Sequence, residues 1–240
     1  MNYQRELEET IKKIQLSREK NPQAAKPTLL LHACCGPCSS HVIESIARFF
    51  DITIFYYNPN IHPAEEYNRR LNELKDFLPR FEPALLAKVK LVEADYDPEE
   101  FYEATKIRTE PELAHEREKG ERCRRCYNLR LKKAHAYASE NNFDFFCTTL
   151  SISPFKDAEK INREGEILFM ENPSGPKWLY SDFKKKGGFL RSLEISEEFN
   201  LYRQQYCGCA YSKVNTEKER AAAKDAAAAE AKGHQQDRSN

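Results

Sequence analysis

Seven of the eight cysteines in this 240-residue chain fall into three short groups. The groups are Cys34-Cys35-Gly36-Pro37-Cys38, Cys123-Arg124-Arg125-Cys126 and Cys207-Gly208-Cys209. Thiolates bind zinc and iron–sulfur clusters, and reactive thiols exchange electrons through disulfides. We therefore expect the chemistry of this protein at these three groups. Cys147 stands alone in the apolar run FDFFCTTL, and we expect it to be a buried apolar side chain rather than a ligand.

The first two groups supply four thiolates that can share one metal centre. Side chains three residues apart are neighbours on a helix, so Cys123 and Cys126 form a chelating pair. Cys34 and Cys35 would alternate on a regular strand, but the Gly36-Pro37 loop lets both turn toward one centre. Four thiolates suit either tetrahedral zinc or a cubane iron–sulfur cluster, and the spacing alone leaves both open. The vicinal pair after an apolar strand favours the cluster, because zinc sites usually repeat a two-residue spacing.

Two of the groups also match dithiol chemistry. Cys35-Gly36-Pro37-Cys38 has the letters of the thioredoxin-like redox motif, and it follows a predicted strand and opens a predicted helix. A thiol oxidoreductase acting through Cys35 and Cys38 is therefore one alternative, although it leaves the other groups without a role. A disulfide between Cys207 and Cys209 would close a small, strained ring, so this pair can store two electrons. Ligation of a second metal, or a tight turn of small residues, is the alternative for that pair.

The elements that must position these cysteines alternate along the chain between strands and helices. Apolar runs predict strands at 28–33, 51–57, 89–98 and 143–154, and helical spacing predicts helices at 39–50, 65–78, 99–106 and 122–141. This order indicates an α/β fold with a mostly parallel sheet covered by helices on both faces. In such sheets ligands bind beyond the carboxyl ends of the strands, where the strand order switches. The cysteine-rich loops are predicted to converge there.

The chain divides into three segments by composition. Residues 1–26 carry apolar residues at helical spacing and predict a peripheral helical extension. Residues 27–215 contain every cysteine and predict the catalytic α/β domain. Residues 216–240 are rich in alanine and charge but lack large apolar residues, so this tail is expected to be helical or disordered.

Charge and hydropathy exclude several classes of protein. The 38 Lys and Arg balance 38 Asp and Glu, so any polyanion site must be local. One local concentration spans residues 116–133, with eight Lys or Arg against three Glu, and a zinc-stabilised nucleic-acid-binding module is a second alternative. No run of apolar residues is long enough to span a bilayer or to form a signal peptide. We therefore expect a cytoplasmic protein with no membrane association.

Six segments together resemble a known family. They are LLLHACCGPC, FYYNPNIHPAEEYNRRL, GERCRRCYNLRL, TTLSISPFKD, DFKKKGGFLRS and LYRQQYCGCAYS, and they cover nearly all of residues 29–212. In this order they are similar to the epoxyqueuosine reductases of the QueH type. The resemblance implies a nucleotide-hydrolase-like, or Rossmann-like, fold. It also implies an iron–sulfur oxidoreductase that converts epoxyqueuosine to queuosine at the wobble position of tRNA.

The resemblance also implies roles for individual cysteines. Cys34, Cys35, Cys123 and Cys126 would hold a [4Fe-4S] cluster. Cys207 and Cys209 would form a redox-active pair that cycles through a disulfide bond. Cys38 stands where a ligand to a second, mononuclear iron is a further option.

The reaction adds two requirements. Reducing an epoxide to an alkene and water takes two electrons and two protons, whereas one cubane cluster ordinarily passes one electron at a time. A second redox centre is therefore expected, either the Cys207/Cys209 pair or an iron near Cys38, together with an electron donor that the sequence does not identify. The candidate proton donors are His32, Asp157 and Tyr206.

Overall fold

The computed structural model of the chain describes residues 1–217 and 220–221. Its centre is a sheet of five strands: β1 Thr28–His32, β2 Asp51–Tyr56, β3 Lys90–Glu93, β4 Phe145–Thr148 and β5 Lys177–Trp178. The strands lie in the order β3-β2-β1-β4-β5, and all neighbouring pairs are parallel. The prediction of an α/β fold with a mostly parallel sheet is confirmed.

Eight α-helices surround the sheet in the described part of the chain, before a last helical segment at 210–217. They are α1 Tyr3–Lys20, α2 Gly36–Ile46, α3 Ala64–Phe77, α4 Glu82–Leu86, α5 Pro98–Thr105, α6 Glu121–Glu140, α7 Ala158–Glu171 and α8 Gly188–Glu198. Side chains of α1, α2, α3 and α8 form one core cluster with the sheet, and side chains of α6 and α7 form a second. The helices therefore cover both faces, as the sequence predicted.

The central strand β1 contributes to both core clusters. Leu29 and Leu31 pack into the first cluster, whereas Leu30 packs into the second. Successive side chains of a strand point to opposite faces, so three consecutive leucines fill both sides of the sheet. All three side chains are fully buried, which is typical of a parallel strand covered by helices on both faces.

The strand order reverses between β1 and β4. The chain passes from β1 outward through β2 to β3, and then returns to place β4 on the other side of β1. Two loops therefore leave the carboxyl ends of β1 and β4 side by side. The first consists of residues 33–35 and leads into α2, and the second begins with a 3₁₀ segment at Thr149–Ile152.

Several elements differ from the sequence predictions. The strand predicted at 143–154 ends at Thr148, because the Thr148 side chain accepts a hydrogen bond from the Leu150 amide and starts the 3₁₀ segment. Helices α4, α7 and α8 and strand β5 were not predicted. The predicted N-terminal helix is present as α1, and its Leu7 side chain packs in the first core cluster with 3% exposure.

Most of the predicted tail at 216–240 lies outside the residues that the structure describes, although 216–217 and 220–221 are helical. The division into three segments stays a prediction. None of the helices in the described ranges combines the length and the apolar composition that crossing a membrane requires.

The contact between α7 and β5 gives a stability prediction. A Cβ atom added at Gly165 would lie 2.2 Å from Trp178 Cδ2, and the Trp178 ring is fixed because its Nε1 donates to Asn162 Oδ1 at 3.0 Å. Gly165→Ala is expected to lower the free energy of unfolding by about 1–3 kcal/mol through overpacking, although alanine favours helix. Urea denaturation measures this change. Arg163→Ala, at an exposed position of α7, is the control and should change stability by less than about 0.5 kcal/mol. An alanine variant at Gly165 as stable as the parent protein would contradict the packing argument.

Candidate active site

Three cysteine sulfurs meet in the loop that follows β1. The Sγ atoms of Cys34, Cys35 and Cys38 all lie within 4.8 Å of one another. The loop turns directly into α2, which begins at Gly36 and has Pro37 in its first turn, so Cys38 returns toward the two cysteines before it. Within the described residues, this is the one set of three His, Cys, Asp or Glu ligand atoms so close together. The cluster can bind a metal ion.

The three thiols differ in their affinity for protons. Hydrogen bonding from Cys35 and Cys38, helped by the nearby guanidinium of Arg130, holds the pKa of Cys34 below its usual value. The same contact with Cys34 raises the pKa of Cys35 to about 12, and contact with Cys34 and Cys35 raises the pKa of Cys38 well above its usual value. Gln204 Nε2 also donates to Cys35 Sγ at 3.1 Å. Cys34 therefore carries the negative charge of this group.

The second cysteine pair lies in the first two turns of α6. Cys123 packs in the same buried cluster as Cys34 and Cys35, whereas Cys126 packs in an adjoining cluster with Cys209. Burial raises the pKa of Cys126 to about 11. Neither sulfur belongs to the close set formed by the loop after β1. The fold thus brings both pairs into adjoining parts of one buried region, and their joint ligation of a cluster stays a prediction.

A buried cation connects the two pairs. Arg130, one turn after Cys126 on α6, donates from Nε to His32 Nε2 at 3.2 Å and from Nη2 to Asn58 Oδ1 at 2.5 Å. Burial alone would lower the pKa of Arg130, but the neighbouring Cys126 and Cys34 side chains more than offset this and raise it. The guanidinium is therefore a fixed positive charge beside both cysteine groups.

Two of the predicted proton donors have structural contacts instead. His32 is fully buried, and its ring nitrogens lie 2.8 Å from Thr148 Oγ1 and 3.1 Å from the Tyr57 carbonyl. Burial, followed by the charge of Arg130, lowers the pKa of His32 to about 3, so the ring is neutral at physiological pH. The Asp157 side chain accepts the Glu159 and Lys160 amides and caps α7. Both side chains are therefore occupied by contacts within the fold.

Cys207 and Cys209 are both free thiols, and their Sγ atoms are 3.6 Å apart. Ser212 contacts both: its amide donates to Cys209 Sγ at 3.3 Å, and its hydroxyl oxygen accepts the Cys207 amide at 3.2 Å. The same hydroxyl donates to Glu118 Oε1 at 2.6 Å. Hydrogen bonding from Cys209, followed by the charge of Lys156, holds the pKa of Cys207 well below its usual value, whereas that of Cys209 is raised by Cys207.

One cavity of about 670 Å³ joins the first loop to this dithiol. It is lined by Cys34, Cys38 and Cys207, and by residues of the loop that follows β4. It therefore lies at the reversal of strand order, where the sequence predicted a ligand site. Tyr206, the third predicted donor, also lines the cavity, but its hydroxyl donates to the His62 carbonyl at 2.9 Å.

The cavity lining is basic although the whole chain is neutral. One acidic residue, Glu118, faces five basic residues: Arg117, Lys119, Lys156, Arg203 and Arg220. The Lys156 side chain is only 10% exposed, and its Nζ lies 3.3 Å from Glu118 Oε2. Burial would lower the pKa of Lys156, but the negative charges of Cys207 and Glu118 more than offset this and raise it.

Sequence reasoning missed Lys156, Ser212 and Arg130. Lys156 carried one usable signal, because it follows β4 by a few residues, and loops at the carboxyl ends of parallel strands form ligand sites. No sequence signal distinguishes Ser212 and Arg130 from the other serines and arginines of the chain. Their contacts depend on residues that are remote in the sequence.

The protein has a parallel α/β fold, and one of its cavities is lined by a thiol cluster that can bind a metal and by a separate dithiol. These features define the class of redox enzymes. The family model for the epoxyqueuosine reductase QueH matches residues 29–215. The chain belongs to this family.

Curated relatives agree with the family match. The epoxyqueuosine reductase QueH of Streptococcus pyogenes serotype M1 is 38% identical over 212 residues, which are 88% of this chain and 78% of the relative. The protein of the same name from Staphylococcus epidermidis is 39% identical over 187 residues, covering 78% and 76% of the two chains. That of Thermotoga maritima is 30% identical over 186 residues, covering 77% and 90%.

The residue between the two thiols gives a prediction for the site. Gly208 has φ of +118°, and a Cβ atom added there would lie 2.8 Å from Ile61 Cγ1 and 3.2 Å from Arg70 Nη1. Gly208→Ala is expected to cost about 1–3 kcal/mol of stability and to separate the two sulfurs. Denaturation measures the first effect. Mass spectrometry after titration with oxidised glutathione measures how readily the Cys207–Cys209 disulfide forms.

Gly187→Ala is the matched control. Gly187 also has a positive φ, of +78°, but no atom lies within 4 Å of an added Cβ. This variant carries the backbone strain alone, so the disulfide should form as it does in the parent protein. If Gly208→Ala oxidises as readily as Gly187→Ala, the glycine does not position the thiols.

Proposed function

We propose that this protein reduces epoxyqueuosine to queuosine at the wobble position of tRNA. The observation that carries the proposal is that Cys34, Cys38 and Cys207 line the same cavity. A metal-capable thiol cluster and a dithiol thus reach one substrate at once. Membership of the QueH family, whose curated relatives are named epoxyqueuosine reductases, supports the reaction.

For the cofactor, we propose a [4Fe-4S] cluster held by Cys34, Cys35, Cys123 and Cys126, with Cys38 available to a second, mononuclear iron. The donor set fits, because four buried thiols, two in the loop after β1 and two in the first turns of α6, suit a cubane cluster. Arg130 supports the same assignment, since a buried negative centre needs a compensating charge. When bound, the cluster supplies single-electron transfer at the cavity.

The Cys207/Cys209 pair completes the electron balance. Oxidation of the Cys207 thiolate and the Cys209 thiol to a disulfide releases two electrons and one proton. Conversion of the epoxide to an alkene and one water consumes two electrons and two protons, and the second proton comes from solvent through Lys156. Cys207 faces the cavity while Cys209 is buried, so Cys207 is the sulfur nearer the substrate. An external electron donor then returns the disulfide to the dithiol.

Lys156 is the proton donor that the geometry favours. Its ammonium lines the cavity and is oriented by Glu118, and its raised pKa keeps it protonated at neutral pH. A positioned general acid can protonate the epoxide oxygen as the C–O bond breaks, and it then regains a proton from the dithiol or from solvent. His32 and Asp157 do not line the cavity.

The basic lining supports tRNA as the carrier of the substrate. A neutral chain that collects five cations and one carboxylate around one cavity attracts a phosphodiester locally. The competing thiol oxidoreductase is not supported, because Cys35 is fully buried and its pKa is raised to about 12, whereas thiol exchange needs an accessible thiolate. A zinc-stabilised module without catalysis is not favoured by the family match.

A series of cysteine variants tests the proposal. Protein purified without oxygen should be brown and contain iron and sulfide. Cys126→Ser should lose most of the iron, because a ligand is removed. Cys207→Ser should keep the iron and the visible absorption but lose more than about 100-fold in turnover of tRNA bearing epoxyqueuosine, since one thiol cannot supply two electrons.

Cys147→Ser is the matched control, because Cys147 is buried in β4 outside the cysteine groups and serine can keep its hydrogen bonds to Leu179 and Ser181. It should retain both iron and turnover. A colourless protein that contains zinc would overturn the cluster. Full turnover by Cys207→Ser would remove the dithiol from the mechanism.

Substitutions that remove or keep the positive charge test the role of Lys156 as the proton donor. Lys156→Met should lower kcat by about 100-fold or more without loss of iron, because the proton donor is absent. Lys156→Arg should recover part of the rate, since it keeps the charge. Glu118→Gln keeps the ammonium and should cost less than about 10-fold. If Lys156→Met and Glu118→Gln show equal, small losses in kcat, Lys156 is not the acid.

A further inference from the structure

An aromatic side chain stands at the mouth of the cavity. Phe155 lies in the turn between the 3₁₀ segment and α7, lines the cavity, and is 68% exposed. Its neighbour Lys156 is 10% exposed and is held in the cavity by Glu118. The Lys156 ammonium therefore lies inside the cavity, whereas the Phe155 ring lies at its rim.

The turn that carries the ring is anchored. The Phe155 amide donates to Ser153 Oγ at 3.3 Å, and the Lys156 amide donates to the Ser153 carbonyl at 3.2 Å. Ile152, just before the turn, is buried in the core. The ring is thus presented to solvent by a backbone that is fixed on both sides, and it is preorganised for a contact.

The charge around the ring indicates the chemistry of its partner. Arg117 and Lys119 line the same cavity, and the Arg203 guanidinium lies 5.7 Å from the ring of Phe189, a second aromatic residue of the lining. Cations together with accessible aromatic rings are the features with which proteins bind single-stranded nucleic acid, through phosphates and base stacking. These features match an unpaired RNA segment as the partner.

The size of the cavity decides which base meets the ring. A cavity of about 670 Å³ is in the range that encloses one small ligand. It accepts a single extruded nucleotide, whereas the adjoining nucleotides of the loop must stay outside at the rim. Bases that leave a loop stack are commonly received by aromatic side chains.

We propose that Phe155 is a stacking platform for the nucleobase next to the modified one in the anticodon loop of the substrate RNA. This inference rests on the proposed function, which supplies the RNA. The ring contributes to binding of the loop and not to the reduction. Its loss therefore raises KM for the RNA and leaves kcat nearly unchanged.

The experiment compares Phe155→Ala, Phe155→Leu and Phe155→Trp on an anticodon stem-loop that contains epoxyqueuosine. Alanine and leucine should raise KM by about 10-fold, because neither stacks, and tryptophan should match the parent protein. A stem-loop with a fluorescent base analogue beside the modified position gives a second readout. Its emission should be quenched by the parent protein and by the tryptophan variant, and not by the other two.

Met170→Ala is the matched control, since Met170 is also 68% exposed and lies on α7 outside the cavity lining. It should change neither KM nor quenching. The free epoxyqueuosine nucleoside is the second control, because it has no neighbouring base, so Phe155→Ala and Phe155→Leu should raise KM less for it than for the stem-loop.

The outcomes separate this inference from the proposed function. Failure of the parent protein to reduce any form of epoxyqueuosine would overturn the function, and the stacking proposal would fall with it. Normal turnover with unchanged KM and quenching in Phe155→Ala and Phe155→Leu would overturn the stacking proposal alone. Loss of self-association in Phe155→Ala, with unchanged affinity for RNA, would identify the ring as a contact between copies of the chain and would also overturn it.

Discussion

The buried guanidinium of Arg130 is the interaction on which the arrangement of the site depends. A charge removed from water is stable only where the surrounding groups compensate it. Here the compensation comes from the amide oxygen of Asn58 after β2, the ring of His32 at the end of β1, and the side chains of Cys34 and Cys126. Asn58 in turn donates from Nδ2 to the Ala33 carbonyl at 2.9 Å and so fixes the loop that carries the first cysteines. One side chain thus ties together the elements that present both cysteine pairs.

The topology of the sheet explains how remote cysteines reach one place. The three groups begin at residues 34, 123 and 207, and no local structure could bring them together. The reversal of strand order beside β1 leaves an open edge between two loops, and α6 packs its first turns against the same edge. Two hydrogen bonds hold the dithiol there. Arg70 donates to the Cys207 carbonyl, and the Ser212 hydroxyl donates to Glu118. The cavity and the three cysteine groups therefore lie at the same edge of the sheet.

The sequence was sufficient for the parallel sheet and for the place of the cavity, because apolar runs, helical spacing and the loops after strands are local signals. It did not reveal β5, since two residues are too short to form a pattern. The hypothesis that His32 donates a proton failed for a different reason. Its neutral state follows from its burial in the folded core and from the charge of Arg130, which lies on another element. Lys156 was missed likewise, because its charge state follows from Glu118 and Cys207, which are remote in the chain.

Helix α6 carries Cys123 and Cys126 at one end and packs Leu131, Ala134 and Ala138 into the second core cluster along the rest of its length. The cysteines and the apolar core residues therefore lie on the same helix. By thermodynamic linkage, the free energy of binding a metal at Cys123 and Cys126 would add to the free energy of unfolding of the protein. A metal bound there would therefore also stabilise the packing of α6 against the sheet, and its removal would loosen the hydrophobic core far from the cysteines.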